Sequence, residues 1–312
     1  MSLDNRYVQA ERAVWEHYEL EPREQFVELE SPRVRLRVQE VGTGDPVLFV
    51  HGTAGNGAYW APLIRELDGF RCLLLERPGW GSSSAIDFSA TPYANLTADV
   101  LRGALDALGV ERAHVVGASI GDVWALRLAQ KHPARVGRVA LLGGGPLVAD
   151  VPVPRIIRLI ASPIGAIMVR LPDKPARVKS ILREVGHGAT LDAGGIPDTY
   201  INWRVALSNA TESMRNERDM VRAIVGRRGF RSGLTFTEDE LAAIGQPTLI
   251  IYGANDPSAP LAVWERVTDL LPAGQLHVVS DSGHMPWLDD PEAVASKLHN
   301  HLREPRSATA PR

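Results

Sequence analysis

Several features that mark specialised classes of protein are scarce in this sequence. Its 312 residues include one cysteine, Cys72, which excludes a disulfide framework within the chain. Cys72 lies in an apolar run, and a single cysteine in such a run most often serves core packing. The formal net charge is −3 and no basic block stands out, so we expect no nucleic acid among the partners.

Long hydrophobic runs are scarce as well. The most membrane-like stretch, residues 156–169, is interrupted by Arg158 and Pro163 and is too short to span a bilayer, so we expect no stable membrane insertion. The first residues contain no apolar signal segment, which predicts a cytoplasmic protein. No histidine–carboxylate cluster has the spacing of a zinc site, and no phosphate-binding fingerprint is present. We therefore predict neither a metal nor a cofactor.

What the sequence does have is the composition of a globular protein, with 45% hydrophobic and 23% charged residues. A short helix is predicted near residues 8–18, and two alternating runs, at 26–29 and 34–38, predict an antiparallel hairpin. Apolar runs then alternate with helical patterns, which predicts a parallel sheet with helices on both faces. The predicted strands lie at 46–50, 71–75, 113–116, 136–142, 248–252 and 275–279. Helices are predicted between them at 59–67, 93–108 and 261–271, and a final helix is predicted at 291–302.

The alternation stops after residue 145 and resumes near residue 245. Helical patterns without a clear strand fill the interval, which predicts a helical cap over the carboxyl edge of the sheet. These patterns lie at 155–169, 176–185, 200–209 and 214–225. We predict an α/β core at residues 1–145 and 245–304, a cap at 146–244 and a loose tail at 305–312. The glycines at 143–145 are expected to form a flexible exit from the sheet to the cap.

The most informative motif is the pattern G-x-S-x-G, with Ser119 at its centre. It stands between an apolar strand and a helical pattern, where a tight turn strains the backbone and projects the serine hydroxyl into a cleft. Gly117 and Gly121 leave room for the neighbouring backbone. For Ser119 taken alone, a helix N-cap is the competing interpretation.

Two further residues follow later strands at the same edge of the predicted sheet. Asp256 comes after the strand at 248–252, and His284 comes after the strand at 275–279. The chain order serine, acid, histidine is one of those in which the Ser–His–acid triad recurs. We therefore predict Ser119 as the nucleophile, His284 as base and then acid, and Asp256 as the residue that orients His284.

Attack on a carbonyl also requires hydrogen-bond donors for the negative oxygen that forms. The backbone amide of Ile120, directly after the nucleophile, and that of Thr53, in the loop after the first parallel strand, are the predicted donors. Trp80 and Trp287 lie closest in sequence to the site loops and are candidates for the substrate pocket, with core packing as the alternative. Among the other histidines, His187 falls in the cap, where we expect a solvent-exposed loop.

With these residues the chain resembles the α/β-hydrolase superfamily, specifically its cap-bearing, esterase-like members. The resemblance extends from about residue 26 to residue 302 and rests on motifs that follow successive strands. The motifs are His51-Gly52, Arg77-Pro78-Gly79-Trp80-Gly81-Ser82-Ser83, the Ser119 turn, Gly253-x-x-Asp256-Pro257-x-x-Pro260 and Gly283-His284-x-Pro286. The resemblance implies the α/β-hydrolase fold with a mostly parallel eight-stranded sheet, and it implies the roles given above for the triad and the two amides.

Two residues depart from the pattern of that superfamily. Asp122 follows the Ser119 turn, where the family usually has a small residue. An acid there suits the first turn of a helix, but a carboxylate that pointed at the site would oppose a developing oxyanion. Glu76 replaces the aspartate that usually precedes Arg77, and we expect it to serve a structural pairing.

Together these features predict a serine hydrolase that cleaves an ester-type bond of a small, apolar molecule through an acyl-enzyme intermediate. The same triad also serves C–C bond hydrolases, lactonases and perhydrolases, and these remain alternatives. A ligand-binding protein that has kept the triad is an alternative from another class. The expected partner is a small-molecule substrate, and nothing in the sequence indicates a homo-oligomer.

Overall fold

The computed structural model of the protein describes residues 5–304, with the exception of residues 90, 150, 228 and 232. The predicted tail at 305–312 lies outside the described residues. Eight strands form one sheet in the order β1-β2-β4-β3-β5-β6-β7-β8. They are β1 (Arg23–Glu30), β2 (Arg33–Val41), β3 (Asp45–Val50), β4 (Phe70–Leu75), β5 (Ala113–Ala118), β6 (Val136–Leu142), β7 (Thr248–Gly253) and β8 (Gly274–Val279).

The pairing of these strands is antiparallel only at one end of the sheet. Strands β1 and β2 form a hairpin, and β2 pairs antiparallel with β4. From β4 onward, through β3, β5, β6, β7 and β8, every pair is parallel. The prediction of a mostly parallel eight-stranded sheet that begins with a hairpin is confirmed.

Helices connect and cover the strands. Those of the first half are α1 (Asn5–His17), α2 (Ala61–Arg65), α3 (Tyr93–Ala107) and α4 (Ile120–Lys131). Between β6 and β7 come α5 (Arg155–Ala161), α6 (Gly165–Met168), α7 (Pro175–Glu184), α8 (Gly188–Asp192), α9 (Asp198–Ala210), α10 (Ser213–Ile224) and α11 (Glu238–Ala242). The last are α12 (Leu261–Leu270), α13 (Pro286–Asp289) and α14 (Pro291–Arg303), and short 3-10 helices span Gly57–Trp60 and Pro133–Arg135.

The apolar runs of β3 to β7 are buried on both faces of the sheet, whereas β8, at the edge, is only partly buried. Alternate side chains of a strand point to opposite faces, so Leu48 and Val50 of β3 join one core while Val47 and Phe49 join the other. Cys72 of β4 belongs to the second core, and burial raises the pKa of its thiol to about 12. The single cysteine is therefore a packing residue rather than a reactive one.

The segment between β6 and β7 contributes no strand to the sheet among its described residues. The helix expected over 155–169 is wrong in its length, because α5 ends at Ala161 and α6 begins at Gly165. Pro163 lies between them, and a proline has no N–H to continue the helical hydrogen bonds. The short helices α8, α11 and α13 were not predicted, since four or five residues are too few for a periodic pattern. The division into core and cap remains a prediction.

A buried ion network ties α1 to the sheet. The guanidinium of Arg37 lies 2.7 Å from Glu11 Oε2 and 2.8 Å from Glu76 Oε1, and Asn56 also donates to Glu76. Burial raises the pKa of Glu76 above its ordinary value, and the charge of Arg37 opposes that effect. The amide of Ser82 adds a hydrogen bond of 2.7 Å to Glu76 Oε2. Glu76 thus has the structural role that the sequence indicates.

Replacing Arg37 with alanine should destabilise the protein strongly. The change would leave the carboxylates of Glu11 and Glu76 buried without their cation, and breaking a buried pair in this way costs about 3–5 kcal/mol. The measurement is the free energy of unfolding from denaturant titration. Arg12→Ala is the control, because the Arg12–Glu16 pair is exposed and is expected to be worth less than about 1 kcal/mol. Equal losses in both variants would contradict this assignment.

Candidate active site

The turn at Ser119 has the strained conformation that its sequence motif predicts. Ser119 lies between the last residue of β5 and the first of α4, with φ 54° and ψ −120°. A non-glycine residue with positive φ persists only where the surrounding structure holds it. A Cβ on Gly121 would collide with the carbonyl of Val50, and one on Gly117 would lie 2.6 Å from the Gly121 carbonyl oxygen. Glycine is therefore required on both sides of the turn.

Asp256 and His284, which lie on the loops after β7 and β8, are hydrogen-bonded to each other. The Nδ1 of His284 lies 2.8 Å from Asp256 Oδ2. Asp256 is buried, and its carboxylate also accepts from the amides of Ser258 at 2.8 Å and Gly144 at 3.1 Å. This set of donors fixes the carboxylate, and the Nδ1 hydrogen bond leaves Nε2 as the free nitrogen of the ring.

The electrostatics of the pair favour a charged acid and a basic imidazole. Burial alone lowers the pKa of His284, but the charge and the hydrogen bond of Asp256 outweigh it, so the pKa of His284 is raised. Burial likewise raises the pKa of Asp256, and the interaction with His284 and the hydrogen bonds from Ser258 reverse that effect and lower it. Arg204 of α9 opposes protonation of His284 by its own charge. Arg204 therefore lies close enough to influence the site, although nothing in the sequence singled it out.

Residues 143–145 lie between the Ser119 turn and the His284 loop. The expectation that this segment forms a flexible exit is wrong, because its three glycines are buried and packed on both sides. A Cβ on Gly143 would collide with the carbonyl of His284, and a Cβ on Gly145 would collide with the carbonyl of Ser119. The absence of side chains allows the two loops to approach each other across this segment.

The backbone on either side of His284 is held by a second histidine–aspartate pair. Asp289 accepts from the amide of Gly283 at 2.9 Å and from Nδ1 of His187 at 2.8 Å. The Nε2 of His187 accepts from the amide of Met285 at 3.1 Å. The expectation of an exposed loop at His187 is wrong, because this side chain is fully buried. Its partner Asp289 is 102 residues away, so no local pattern could have revealed the pair.

The two predicted oxyanion donors lie on the loops next to the nucleophile. Ile120 is the first residue of α4, so its amide has no carbonyl in a preceding turn to bond to. Thr53 follows Gly52, and a Cβ on Gly52 would lie 3.1 Å from Ser119 Cβ, which places this loop against the nucleophile. The hydroxyl of Thr53 donates to Glu217 Oε1 of α10 at 2.8 Å. The role of both amides remains a prediction.

His51 supports the same loop from inside the protein. Its Nδ1 lies 2.8 Å from the Gly52 carbonyl, and its Nε2 accepts from the amide of Arg77 at 3.1 Å. Burial and the nearby charge of Arg77 lower the pKa of His51, so the ring stays neutral, with Nδ1 as the donor. His51 is the structural hydrogen-bonding residue of the loop.

The side chain of Asp122 contacts the glycine segment at 143–145. Its side chain is fully buried, and its Oδ2 accepts from the amide of Gly145 at 3.1 Å. Burial raises the pKa of Asp122 well above its usual range, and the charge of Asp256 adds to the effect. The other oxygen, Oδ1, has no hydrogen-bond partner among the described residues. Asp122 thus anchors the glycine segment behind the nucleophile.

The two tryptophans proposed for the pocket are buried in aromatic clusters. Trp287 stacks on Trp60 with ring centroids 4.9 Å apart, and its indole N–H donates to the carbonyl of Tyr59. Trp80 makes an edge contact with His51 at 5.5 Å. Both side chains are at most 1% exposed, which favours the packing alternative. A contact with substrate remains a prediction for each.

Comparison with known proteins identifies the superfamily. Residues 47–297 match the alpha/beta hydrolase family. The chain belongs to this family. Its fold class and its resemblance to the superfamily are thereby confirmed, and the comparison supports a hydrolase activity.

Among curated proteins, the chain is similar to a 2-hydroxy-6-oxononadienedioate/2-hydroxy-6-oxononatrienedioate hydrolase from Burkholderia vietnamiensis. The two are 30% identical over 290 residues, which cover 88% of this chain and 93% of that protein. The protein of the same description from Escherichia coli K12 is 26% identical over 89% of this chain and 94% of its own length.

Solved structures agree on the fold. A carboxylesterase from Bacillus subtilis has a TM-score of 0.76 at 20% identity. The match covers 96% of this chain and 97% of the esterase chain. A meta-cleavage product hydrolase from Pseudomonas fluorescens has a TM-score of 0.72 at 22% identity and covers 89% of this chain and 97% of its own. At these identities the likeness concerns the fold alone.

Two further observations concern metals and membranes. Across residues 5–304, apart from the four positions that are not described, no three His, Cys, Asp or Glu side chains are arranged to hold a metal ion. None of the described helices combines the length and the hydropathy needed to cross a membrane.

Asp122→Asn should change how stability depends on pH. The folded state holds the Asp122 proton more tightly than the unfolded state, where the pKa is about 3.9. The free energy of unfolding of the wild type therefore falls as pH rises from the unfolded pKa of Asp122 to its folded pKa. The free energy of unfolding of the variant, relative to wild type, should increase from pH 4 to pH 7, as measured by denaturant titration.

The matched control for this prediction is Asp68→Asn, because the Asp68 side chain is 99% exposed. Its free energy of unfolding should follow that of wild type over the same pH range. If the curves of Asp122→Asn and wild type stay parallel, Asp122 does not carry a perturbed proton in the folded state.

Proposed function

We propose that this protein is a serine-dependent hydrolase that cleaves a carbon–carbon bond beside the keto group of a 2-hydroxy-6-oxo dienedioic acid or a close analogue. The observation that carries the choice of substrate is the similarity, over 88% of the chain, to a hydrolase named for such acids. Ester cleavage, the main expectation from the sequence, becomes the competing outcome. The similarity to a carboxylesterase supports only the fold.

The chemistry of the named acids determines which bond can break. They contain hydroxyl, keto and carboxylate groups but no ester, so hydrolysis has to break a carbon–carbon bond next to the keto carbon. The keto carbon becomes a carboxylic acid, and the departing carbon gains a proton. Transfer of the 2-hydroxyl proton to the departing carbon first converts the dienol into a 2-oxo alkenoate. Cleavage then releases a conjugated dienolate, whose electron pair is delocalised onto the 2-oxo oxygen, rather than an isolated vinylic carbanion.

The candidate site supplies the groups that this reaction needs. The Ser119 hydroxyl attacks the keto carbon while Nε2 of His284 takes its proton, and Asp256 stabilises the imidazolium that forms. The amides of Thr53 and Ile120 hold the negative oxygen of the tetrahedral adduct. His284 then gives its proton to the departing dienolate, and water hydrolyses the acyl-enzyme with His284 again as base.

Arg204 supports the choice of an anionic substrate. It lies on α9, is half-buried, and its charge acts on His284 and on Tyr59. The phenol of Tyr59 lies next to Gly52, at the loop that packs against Ser119. A guanidinium in this position would pair with a carboxylate of the substrate, and such a charge has little use for an apolar ester.

The test compares a dienedioate with an ester in the same enzyme. Loss of the conjugated absorbance of 2-hydroxy-6-oxononadienedioate should be faster, in kcat/KM, than release of p-nitrophenol from p-nitrophenyl butyrate. Ser119→Ala should lower kcat on the dienedioate by about 10³-fold or more, because removal of a triad nucleophile has effects of that size or larger. Ser180→Ala, on an exposed face of α7, is the control and should leave kcat unchanged.

The other outcomes separate the competing functions. A wild-type preference for the ester would restore the esterase interpretation. A folded wild-type protein that neither turns over these compounds nor reacts with a fluorophosphonate probe would exclude a serine hydrolase and leave the ligand-binding alternative.

The value of kcat/KM should fall at acid pH, and the apparent pKa of this fall should lie above the ordinary value for histidine. The base must be neutral, and the charge of Asp256 raises the pKa of His284, so kcat/KM should increase as pH rises through that elevated pKa. Asp256→Asn removes this charge, so the acid limb of the profile should move to lower pH. The same variant should lower kcat by up to about 10⁴-fold.

Asp281→Asn provides the control for the pH profile, because Asp281 lies on the same loop as His284 and is exposed. Asparagine tolerates the positive φ of 55° at this position. This variant should keep the wild-type profile. An acid limb that stays in place in Asp256→Asn would mean that His284 is not the titrating base.

A further inference from the structure

One face of helix α10 contacts the two loops that follow β3 and β4. The residues on this face are spaced at i, i+3, i+4 and i+7, so they lie along a single stripe of the helix. They are Ser213, Asn216, Glu217 and Met220, and three of them are at most 1% exposed. None of these contacts follows from the sequence pattern that predicts the helix.

The first two residues of the stripe dock α10 on the loop after β4. The hydroxyl oxygen of Ser213 accepts from the amide of Gly81 at 3.0 Å. The side-chain amide of Asn216 donates to the carbonyl of Gly79 at 2.7 Å. These two bonds involve backbone atoms of the loop and fix the position of the helix above it.

Glu217 makes the contact that reaches the site. Its side chain is fully buried, and its Oε1 accepts from the Thr53 hydroxyl at 2.8 Å. Its Oε2 lies 3.9 Å from Nη2 of Arg77, and the same Nη2 donates to the Gly52 carbonyl at 3.0 Å. Burial raises the pKa of Glu217, and the charge of Arg77 opposes that effect. Two consecutive residues of the loop are therefore held: Arg77 binds the backbone carbonyl of Gly52, and Glu217 binds the side chain of Thr53.

We propose that Glu217 is a positioning residue that sets the direction of the Thr53 amide through the Thr53 hydroxyl. The proposal rests on the proposed function, in which this amide is an oxyanion donor. A donor is effective only when it lies about 2.7–3.1 Å from the oxyanion, so a small rotation of the peptide weakens it. The next residue, Ala54, has a positive φ of 54°, and a loop in that conformation needs external contacts to persist.

Thr53→Val is the central experiment, because valine keeps the shape of threonine and leaves the Glu217–Arg77 pair in place. The variant should lower kcat by about 10-fold to 100-fold, which is less than the loss of a whole oxyanion donor. KM should change by less than about threefold, since the hydrogen bond acts in the transition state rather than in substrate binding. Thr53→Ser, which keeps the hydroxyl, should restore at least about a third of the wild-type kcat.

Glu217→Gln, Glu217→Met and the double variant Thr53→Val/Glu217→Met complete the cycle. Glutamine keeps an acceptor for the Thr53 hydroxyl, so Glu217→Gln alone should retain most of kcat. Glu217→Met removes the acceptor at similar length, so it should lower kcat about as much as Thr53→Val and cause no further loss in the Thr53→Val background. Asn216→Ala is the matched control on the same face of α10. It removes a docking hydrogen bond of the helix and should lower stability with little effect on kcat.

These measurements use p-nitrophenyl butyrate as well as the dienedioate. The result therefore does not depend on whether the natural substrate is cleaved at an ester bond or at a carbon–carbon bond. A Thr53→Val kcat within twofold of wild type, or a loss that Thr53→Ser fails to restore, would overturn the positioning role while leaving the proposed function intact. Absence of turnover and of fluorophosphonate labelling in the wild type would overturn both.

Discussion

The left-handed backbone at Ser119 is the constraint on which the rest of the site depends. A serine with φ 54° is held only by close contacts with its neighbours. The carbonyl of Val50 closes over Gly121, Gly52 packs on the serine Cβ, and Gly145 lies under the Ser119 carbonyl. Each contact needs the absence of a side chain. The first two come from the carboxyl end of β3, and the third comes from that of β6. The sheet thus builds the turn by bringing β3, β5 and β6 into register.

Much of the fold and the central residues of the site could be predicted because their signals are local. A strand buried on both faces requires a continuous apolar run, as in β3 and β7, and this run is visible in the sequence. Parallel strands end at one edge, so a residue that follows a strand is placed at that edge whatever the packing around it. This reasoning leads to Asp256 and His284, whose hydrogen bond the structure contains.

The remaining parts could not be predicted because they depend on contacts between distant residues. His187 is buried only because Asp289, 102 residues further on, and the amide of Met285 provide its hydrogen bonds. The glycines at 143–145 suggest flexibility when taken alone, whereas contacts from two loops bury them. Asp122 is similar, since its role as an anchor of the glycine segment depends on its hydrogen bond with Gly145. In each case the partner, rather than the residue, determines the role.

Two charged side chains from the segment between β6 and β7 act on different parts of the site. The positive charge of Arg204 of α9 acts on His284, while Glu217 of α10 accepts a hydrogen bond from the hydroxyl of Thr53. A carboxylate of the proposed substrate would be attracted to the first and repelled by the second. Arg77 partly neutralises Glu217, which limits the penalty on an oxyanion that forms near Thr53. A neutral ester would gain nothing from this asymmetry, so these charges add to the support for the proposed anionic substrate.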